Sequence, residues 1–282
     1  MIDALLNFDF IRYSLISGLL IGFIAPLIGA FIVVRRLSLI ADALSHVTLG
    51  GISFGMFLLT IIPVFSVINP MWFGILFAVI GALLIEKLRT SFSNYQEIAI
   101  PIIMSAGIAL SAIFISLADG FNQEIVGLLF GSISAVNISD LTTIIIITII
   151  VLIFIVLFYK ELFILSFDEE YSKVIGIPKW IQFLFIVIVA MVISASMRVV
   201  GILLVSALIT LPIAISMRIT KGFKQLIALS IILGELSVIL GLIIAFYMNI
   251  SPGGVIVVLL VVMLILTMII QKLKIKFKKG VV

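Results

Sequence analysis

Two side chains that can bind a metal ion stand four residues apart in an apolar stretch of the chain. Asp42 and His46 lie in the segment SLIADALSHVTLGG. In a helix this spacing places both on one face, which Ser38 and Ser45 share. A carboxylate oxygen together with a neutral imidazole suits Zn²⁺, Mn²⁺ or Fe²⁺. We therefore predict that Asp42 and His46 are metal ligands, with Ser38 and Ser45 as further candidates along an ion path.

The number of available ligands limits what this pair can build. A closed structural zinc site needs four ligands, and the chain has 1 histidine and 0 cysteines. Either a symmetric dimer supplies two Asp–His pairs, or one chain holds the ion weakly with water or carbonyl groups. Incomplete coordination suits a transport path, because the ion must also leave. The remaining alternative is that Asp42 and His46 neutralise each other near the helix entry.

Glu235 is the third titratable side chain within a predicted membrane span. It lies near the middle of the apolar stretch QLIALSIILGELSVILGLIIAFY. An ionisable group inside a bilayer is costly and marks a functional position by default. Glu235 is therefore either a transport-path carboxylate or a protonated side chain that hydrogen-bonds between helices.

The composition requires membrane helices to carry these residues. Of 282 residues, 64% are hydrophobic and 11% are charged, whereas soluble domains carry about 45–50% apolar and 25% charged residues. We predict an all-α, polytopic transmembrane bundle forming a single domain over 1–282. A spanning helix needs about 20 apolar residues, which gives about nine spans (eight to ten). They are 13–34, 39–60, 68–85, 98–118, 141–159, 180–197, 199–217, 225–247 and 254–270. The segment 124–139 is too short and polar to cross, so we expect a re-entrant or interfacial piece buried by protein.

The charged residues predict the orientation of the bundle. When the Arg35-Arg36 turn is placed in the cytoplasm and nine spans alternate, 15 of the 17 Lys and Arg residues are cytoplasmic. The N-terminus is then outside and the C-terminus cytoplasmic. On the outer side, Asp119, Glu124 and Asp140 are predicted to form an acidic mouth that attracts cations. The basic cytoplasmic tail, 271–282, is expected to anchor at the membrane surface, and we predict no nucleic-acid partner.

Several motifs for catalysis are absent from the sequence. It contains no G-x-x-x-x-G-K-[ST] phosphate loop, no G-x-S-x-G elbow and no H-E-x-x-H metal motif. We therefore predict a transport subunit that is not itself an enzyme. Any energy for transport must come from a partner or an ion gradient.

Four stretches in order resemble the signatures of metal-ion ABC transporter permeases of the ABC-3 type. The first is VVRRLSLIADALSHVTLGGISFG, which is similar to the family's first loop and second span. The others are LSFDEEYSKVIGIP (165–178), VGILLVSALITLPIAIS (200–216) and SPGGVIVVL (251–259). The resemblance covers nearly the whole chain, although Ser172 stands where the family often carries Ala.

This resemblance implies a function and a set of partners. Members form a homodimeric pore in the cell membrane, work by alternating access with two cytoplasmic ATPase subunits, and receive metal from an extracellular binding protein. ATP then binds the partner subunit, no cofactor is permanently bound here, and the transported ion is the cargo. By resemblance, Asp42 and His46 line the metal path, and the R-R-L-S-L-I-A-D-A-L-S-H form is closer to zinc permeases, with manganese or iron next.

The loop 160–179 would be the cytoplasmic coupling element that docks on the ATPase. Its acids favour the first turn of a short helix, and Gly176 before Pro178 favours its end. The coupling residues implied are Asp168, Glu169, Glu170, Tyr171 and Gly176.

A secondary transporter or channel for divalent cations, with no ATPase partner, is the alternative function. Such transporters often carry inverted repeats and broken helices. We find no clear internal repeat, and the 160–179 loop favours a docking partner.

Overall fold

Helices make up nearly all of the described part of the chain. The computed structural model describes residues 7–62, 69–92, 95–118, 123–132 and 136–279. Within these ranges there are 12 α-helices and no strands, which confirms the predicted polytopic helical bundle. They are α1 Asp9–Val34, α2 Ile40–Ile61, α3 Met71–Ser91, α4 Ala99–Leu117, α5 Gln123–Phe130, α6 Ile138–Leu157, α7 Tyr159–Phe167, α8 Glu169–Ile175, α9 Lys179–Val200, α10 Ile202–Ile219, α11 Phe223–Met248 and α12 Pro252–Lys279.

Every predicted span coincides with one of these helices. Among the described residues, 8 helices are long and apolar enough to cross a membrane. The remaining predicted span is α10, a shorter helix of 18 residues. The chain is therefore a multi-pass membrane protein, while nine crossings and the outside position of the N-terminus stay predictions.

Small residues let the helices approach closely. Helix α2 packs against α3 and α4 on one side and against α9 and α10 on another, and α1 packs against α11 and α10. A Cβ atom at Gly51 would lie 2.5 Å from the carbonyl oxygen of Phe73, so α2 and α3 touch there backbone to backbone. Close approach at glycines is a common way to join helices inside a membrane, where lipid supplies no hydrophobic drive.

The segment predicted to be re-entrant or interfacial contains the short helix α5. Its Ile125 and Leu128 are 0% and 3% exposed, and α5 packs against α9 and α10. Helix α5 is followed by Gly131, which has a positive φ and packs against Gly201, the single residue between α9 and α10. A Cβ atom at Gly201 would lie 2.5 Å from the Gly131 nitrogen. One side of α5 is therefore packed against protein, while Val126 and Phe130 are exposed, and a re-entrant or interfacial position for 124–139 stays a prediction.

The residues of the predicted basic tail continue the last membrane helix. Helix α12 continues as far as Lys279, and residues 280–282 lie outside the described part. Gln271 on α12 contacts both the side chain and the carbonyl oxygen of Arg218 on α10. The first residue of the tail is thus fixed to the body of the protein, while its contact with a membrane surface stays a prediction.

Candidate metal site and coupling helix

Asp42 and His46 lie together on the first two turns of α2. Both side chains are half-buried, and the charge of the Asp42 carboxylate acts on the His46 imidazole. Asp42 is in the first turn of the helix, where a negative charge is stabilised by the helix dipole. The structure thus brings the two predicted ligands together, at the end of α2 that follows the Arg35-Arg36 turn.

Helix α4 fixes the backbone at His46. The Ser111 hydroxyl lies 3.1 Å from the carbonyl oxygen of His46 and 2.7 Å from that of Gly107, and can donate to either. A Cβ atom at Gly107 would lie 2.8 Å from the Val47 nitrogen and 3.0 Å from the His46 carbonyl carbon. The backbone that carries the imidazole is therefore in close contact with α4. Sequence reasoning missed Gly107 and Ser111, although their four-residue spacing is a small-residue packing motif.

Helix α9 holds the next turn of α2. Thr48 donates to the Leu44 carbonyl oxygen at 2.7 Å, so the Ser194 hydroxyl is the donor across the 3.1 Å contact to Thr48. Ser45, a predicted path residue, is 1% exposed and donates to the Ala41 carbonyl oxygen at 2.8 Å. Its hydroxyl is already engaged within the helix. Ser194 was not predicted, because nothing in its own segment marks it.

Glu235 lies on a different helix pair from the metal candidates. It is half-buried on α11, next to Gly234, where a Cβ atom would lie 2.6 Å from the Gly22 carbonyl oxygen of α1. The described residues contain no group of three His, Cys, Asp or Glu side chains that could hold a metal ion. Glu235 therefore does not join Asp42 and His46 in a three-ligand site within one chain. Ser38 is half-buried in the turn before α2.

Of the three residues of the predicted acidic mouth, the structure describes the side chain of Asp140. Asp140 is 7% exposed and forms a capping box with Asn137 at the start of α6: each side chain accepts a hydrogen bond from the other residue's backbone N–H, at 3.1 and 2.9 Å. Asp140 therefore stabilises the start of α6. Asp119 lies outside the described residues, as does the side chain of Glu124. A cation-attracting role for the three stays a prediction.

The predicted coupling helix forms as α8. Asp168 is its N-cap, and its carboxylate accepts from the Tyr171 backbone N–H at 2.8 Å. Gly176 ends the helix in the left-handed conformation, with φ of 84°, which glycine adopts without a Cβ clash. Asp168 and Gly176 therefore shape α8, while Tyr171 and Val174 project from it and are 54% and 82% exposed.

Glu169 is held by two arginines from other helices. Its carboxylate lies 3.4 Å from the Arg89 guanidinium at the end of α3 and 3.7 Å from that of Arg35 at the end of α1. Burial lowers the pKa of Arg35, and the charge of Glu169 opposes this effect. The guanidinium remains charged, as arginine does in proteins, so Glu169 supplies part of its compensation. The sequence marked Arg35 only as part of the cytoplasmic Arg35-Arg36 turn, and it did not predict that Arg35 or Arg89 pairs with Glu169.

Aromatic rings hold the preceding helix, α7. Phe223 at the start of α11 lies with its ring centroid 5.3 Å from that of Phe163 and 5.6 Å from that of Phe167. The Phe223 ring also lies 5.2 Å from Phe31, one turn before Arg35 on α1. Edge-to-face aromatic pairs at such distances add to the packing energy. The segment leading into α8 is thus joined to α1 and α11.

The fold and the residues described so far define a class: a multi-pass α-helical membrane protein with an acid–imidazole pair on a membrane helix. The chain matches the ABC 3 transport family over residues 7–271, and it belongs to that family. It is 31% identical over 264 residues to a probable metal transport system membrane protein of Treponema pallidum, covering 93% of this chain and 96% of the relative. It is 29% identical to the manganese transport system membrane protein MntC of Listeria monocytogenes, covering 90% and 88% of the two chains.

A solved structure is also similar. PsaBC from Streptococcus pneumoniae in complex with Fab contains a chain that aligns with a TM-score of 0.80 and 30% identity, covering 94% of this chain and 93% of that one. The similarity in fold and in sequence thus extends over nearly the entire chain.

Proposed function

We propose that this chain is the permease subunit of an ATP-driven importer that moves a divalent transition-metal ion into the cytoplasm by alternating access. The observation that carries the proposal is the pair of Asp42 and His46, half-buried on a membrane helix whose backbone is fixed by α4 and α9. A rigid helix with two ligands offers an ion partial coordination, which permits both binding and release.

The ATPase is proposed to be a separate chain, because no phosphate loop occurs in this sequence. Helix α8 presents Tyr171, Val174 and Ile175 with 54%, 82% and 51% exposure. Exposed apolar side chains on a short, capped helix suit a protein interface. We infer that α8 docks on the ATPase, and that two permease chains and an extracellular metal-binding protein complete the importer.

The proposed importer can be assigned more than one transported metal. The resemblance of the stretch around Asp42 to zinc permeases favours zinc, whereas the name of the Listeria relative states manganese. Carboxylate and imidazole ligands serve zinc, manganese and iron alike. Zinc and manganese are therefore the two cargoes to compare first, with iron next.

The test is metal uptake by vesicles that hold the complete complex. With the ATPase, the binding protein and ATP, we expect accumulation of Zn²⁺ or Mn²⁺, and no accumulation when ATP is replaced by a nonhydrolysable analogue. Vesicles that contain this chain alone are the control and should accumulate no metal. Uptake by the chain alone, with no ATP, would favour the ion-coupled secondary transporter or channel instead.

A further inference from the structure

The two glutamates that begin α8 face different surroundings. Glu170 is exposed, whereas Glu169 is half-buried and its carboxylate lies within ion-pairing distance of Arg35 and Arg89. A third contact, to Lys173 on the same helix, is at 4.0 Å. Sequence reasoning assigned all these acids to the ATPase side, but Glu169 points into the permease.

The arginines that meet Glu169 are themselves buried. The side chains of Arg35 and Arg89 are 3% and 9% exposed. Arg89 also contacts Glu86 on its own helix and Gln96, each at 3.1 Å. Removing one partner from a buried ion pair costs more than the pair contributes, because the other charge is left uncompensated.

The network continues to α9 and towards the metal candidates. Gln182 of α9 donates to Glu86 at 2.6 Å. Glu169 thus joins α8 to α1 and α3 directly, and to α9 through Arg89 and Glu86. Arg35 ends α1, and only a short turn separates it from the first residue of α2, Ile40. That turn is closed by the hydrogen bond from the Leu37 N–H to the Ile32 carbonyl oxygen, at 3.0 Å.

We propose that Glu169 is a positioning residue that fixes α8 to the ends of α1 and α3, so that movement of α8 displaces the turn leading into α2. This proposal rests on the proposed function, since it requires an ATPase that moves α8. The two arginines carry the displacement because they are buried and cannot pair with solvent instead. Asp42 lies on the first turn beyond this link, so the ion site responds to the motion.

The test compares Glu169→Gln with Glu97→Gln in the complete importer. Glu97 is an exposed carboxylate in the short turn before α4 and serves as the matched control. The measured quantity is metal imported per ATP hydrolysed. For Glu169→Gln we expect a complex that assembles and hydrolyses ATP but imports about tenfold less metal per ATP. A tenfold loss is typical of the energetic coupling between two distant sites in a protein. Glu169→Asp, which keeps the charge, should recover part of the ratio.

The outcomes separate this proposal from the proposed function. If the unaltered complex shows no ATP-dependent uptake, the proposed function fails. If it does show uptake and Glu169→Gln keeps the normal ratio of metal to ATP, only the positioning role is overturned. Should Glu169→Gln fail to assemble, Arg89→Gln leaves α8 unaltered and is measured in the same way. Failure of both variants to assemble would overturn the proposal, because the ion pair of Glu169 and Arg89 would then serve only to maintain the surface on which the ATPase docks.

Discussion

At the residue scale, the proposed ion chemistry depends on two side chains that are only half-buried. Asp42 and His46 belong to no three-ligand group within the described part of the chain. Their remaining ligands must come from water, from carbonyl groups or from a second copy. An incomplete set of ligands is consistent with a cargo that is bound briefly and then released.

Replacing either side chain should therefore abolish transport without disturbing the assembly. For Asp42→Ala and His46→Ala we expect loss of ATP-dependent Zn²⁺ or Mn²⁺ uptake, measured in vesicles, with an unchanged amount of assembled complex by size-exclusion chromatography. Thr142→Ala is the control, since Thr142 lies on α6 outside the predicted path and its hydroxyl donates to the Ile138 carbonyl oxygen within its own helix. Near-normal uptake in either alanine variant would remove that residue from the metal path.

Substitution of Glu235 can distinguish a role in helix packing from a role in ion transport. Because it sits beside the close contact of Gly234 with Gly22, we expect a protonated glutamate that supports helix packing. Glu235→Gln keeps the shape and hydrogen-bonding ability of that form, so uptake should stay within about twofold of normal, a difference of less than 1 kcal/mol. A loss of uptake with normal thermal stability would place the carboxylate on the ion path.

At the scale of elements, α2 is a helix held on two sides. Ser111 and Gly107 of α4 contact it at His46, and Ser194 of α9 contacts it one turn later at Thr48. A second rigid unit is α8, which the cap at Asp168 and the left-handed Gly176 define at both ends. The proposed mechanism needs both units to be rigid, because flexible elements would absorb the motion.

The contact at Gly107 is open to a direct test. A Cβ atom there would lie 2.8 Å from the Val47 nitrogen, whereas at Gly127 the nearest atom would be 3.8 Å away. Gly107→Ala should lower the free energy of unfolding by about 1–3 kcal/mol, as overpacking does, and should reduce uptake. Gly127→Ala, the same change at a helical position with only an ordinary van der Waals contact, should lower neither quantity. Thermal unfolding in detergent measures the difference, and equal effects would contradict the close α2–α4 contact.

At the scale of the whole molecule, the chain presents large apolar side chains over much of its surface. Examples are Val156, Leu157 and Val258, which are 75%, 66% and 62% exposed. Lipid can cover such surfaces, and so can another chain. A second permease chain is one source of the ligands that Asp42 and His46 lack, and water or carbonyl groups are the other.

We therefore expect two permease chains in each complex. Native mass spectrometry of the purified importer should give two copies of this chain with two ATPase chains. Asp42→Ala should keep that stoichiometry, because the ligands bind cargo and do not hold the copies together. A complex with one permease chain would contradict the dimer and would require one chain to hold the ion with water or carbonyl groups.

The sequence by itself determined the class of fold and the main candidate residues. Composition and the length of apolar segments fix membrane helices, since a bilayer excludes unpaired backbone groups. The Asp42 and His46 pair was visible because charge is scarce inside the spans and because a four-residue spacing fixes a helix face. Likewise, the start and end of α8 follow from local capping preferences around Asp168 and Gly176.

Only the tertiary structure decided which distant residues meet. The contact of Ser194 with Thr48, and of Glu169 with Arg35 and Arg89, joins helices far apart in the chain. Such contacts depend on how helices are arranged in space, whereas a local pattern reports only which face of one helix is apolar or charged. Glu169 and Glu170 show this limit. Both lie in the first turn of α8, so the local pattern could not predict that Glu169 pairs with buried arginines while Glu170 is exposed.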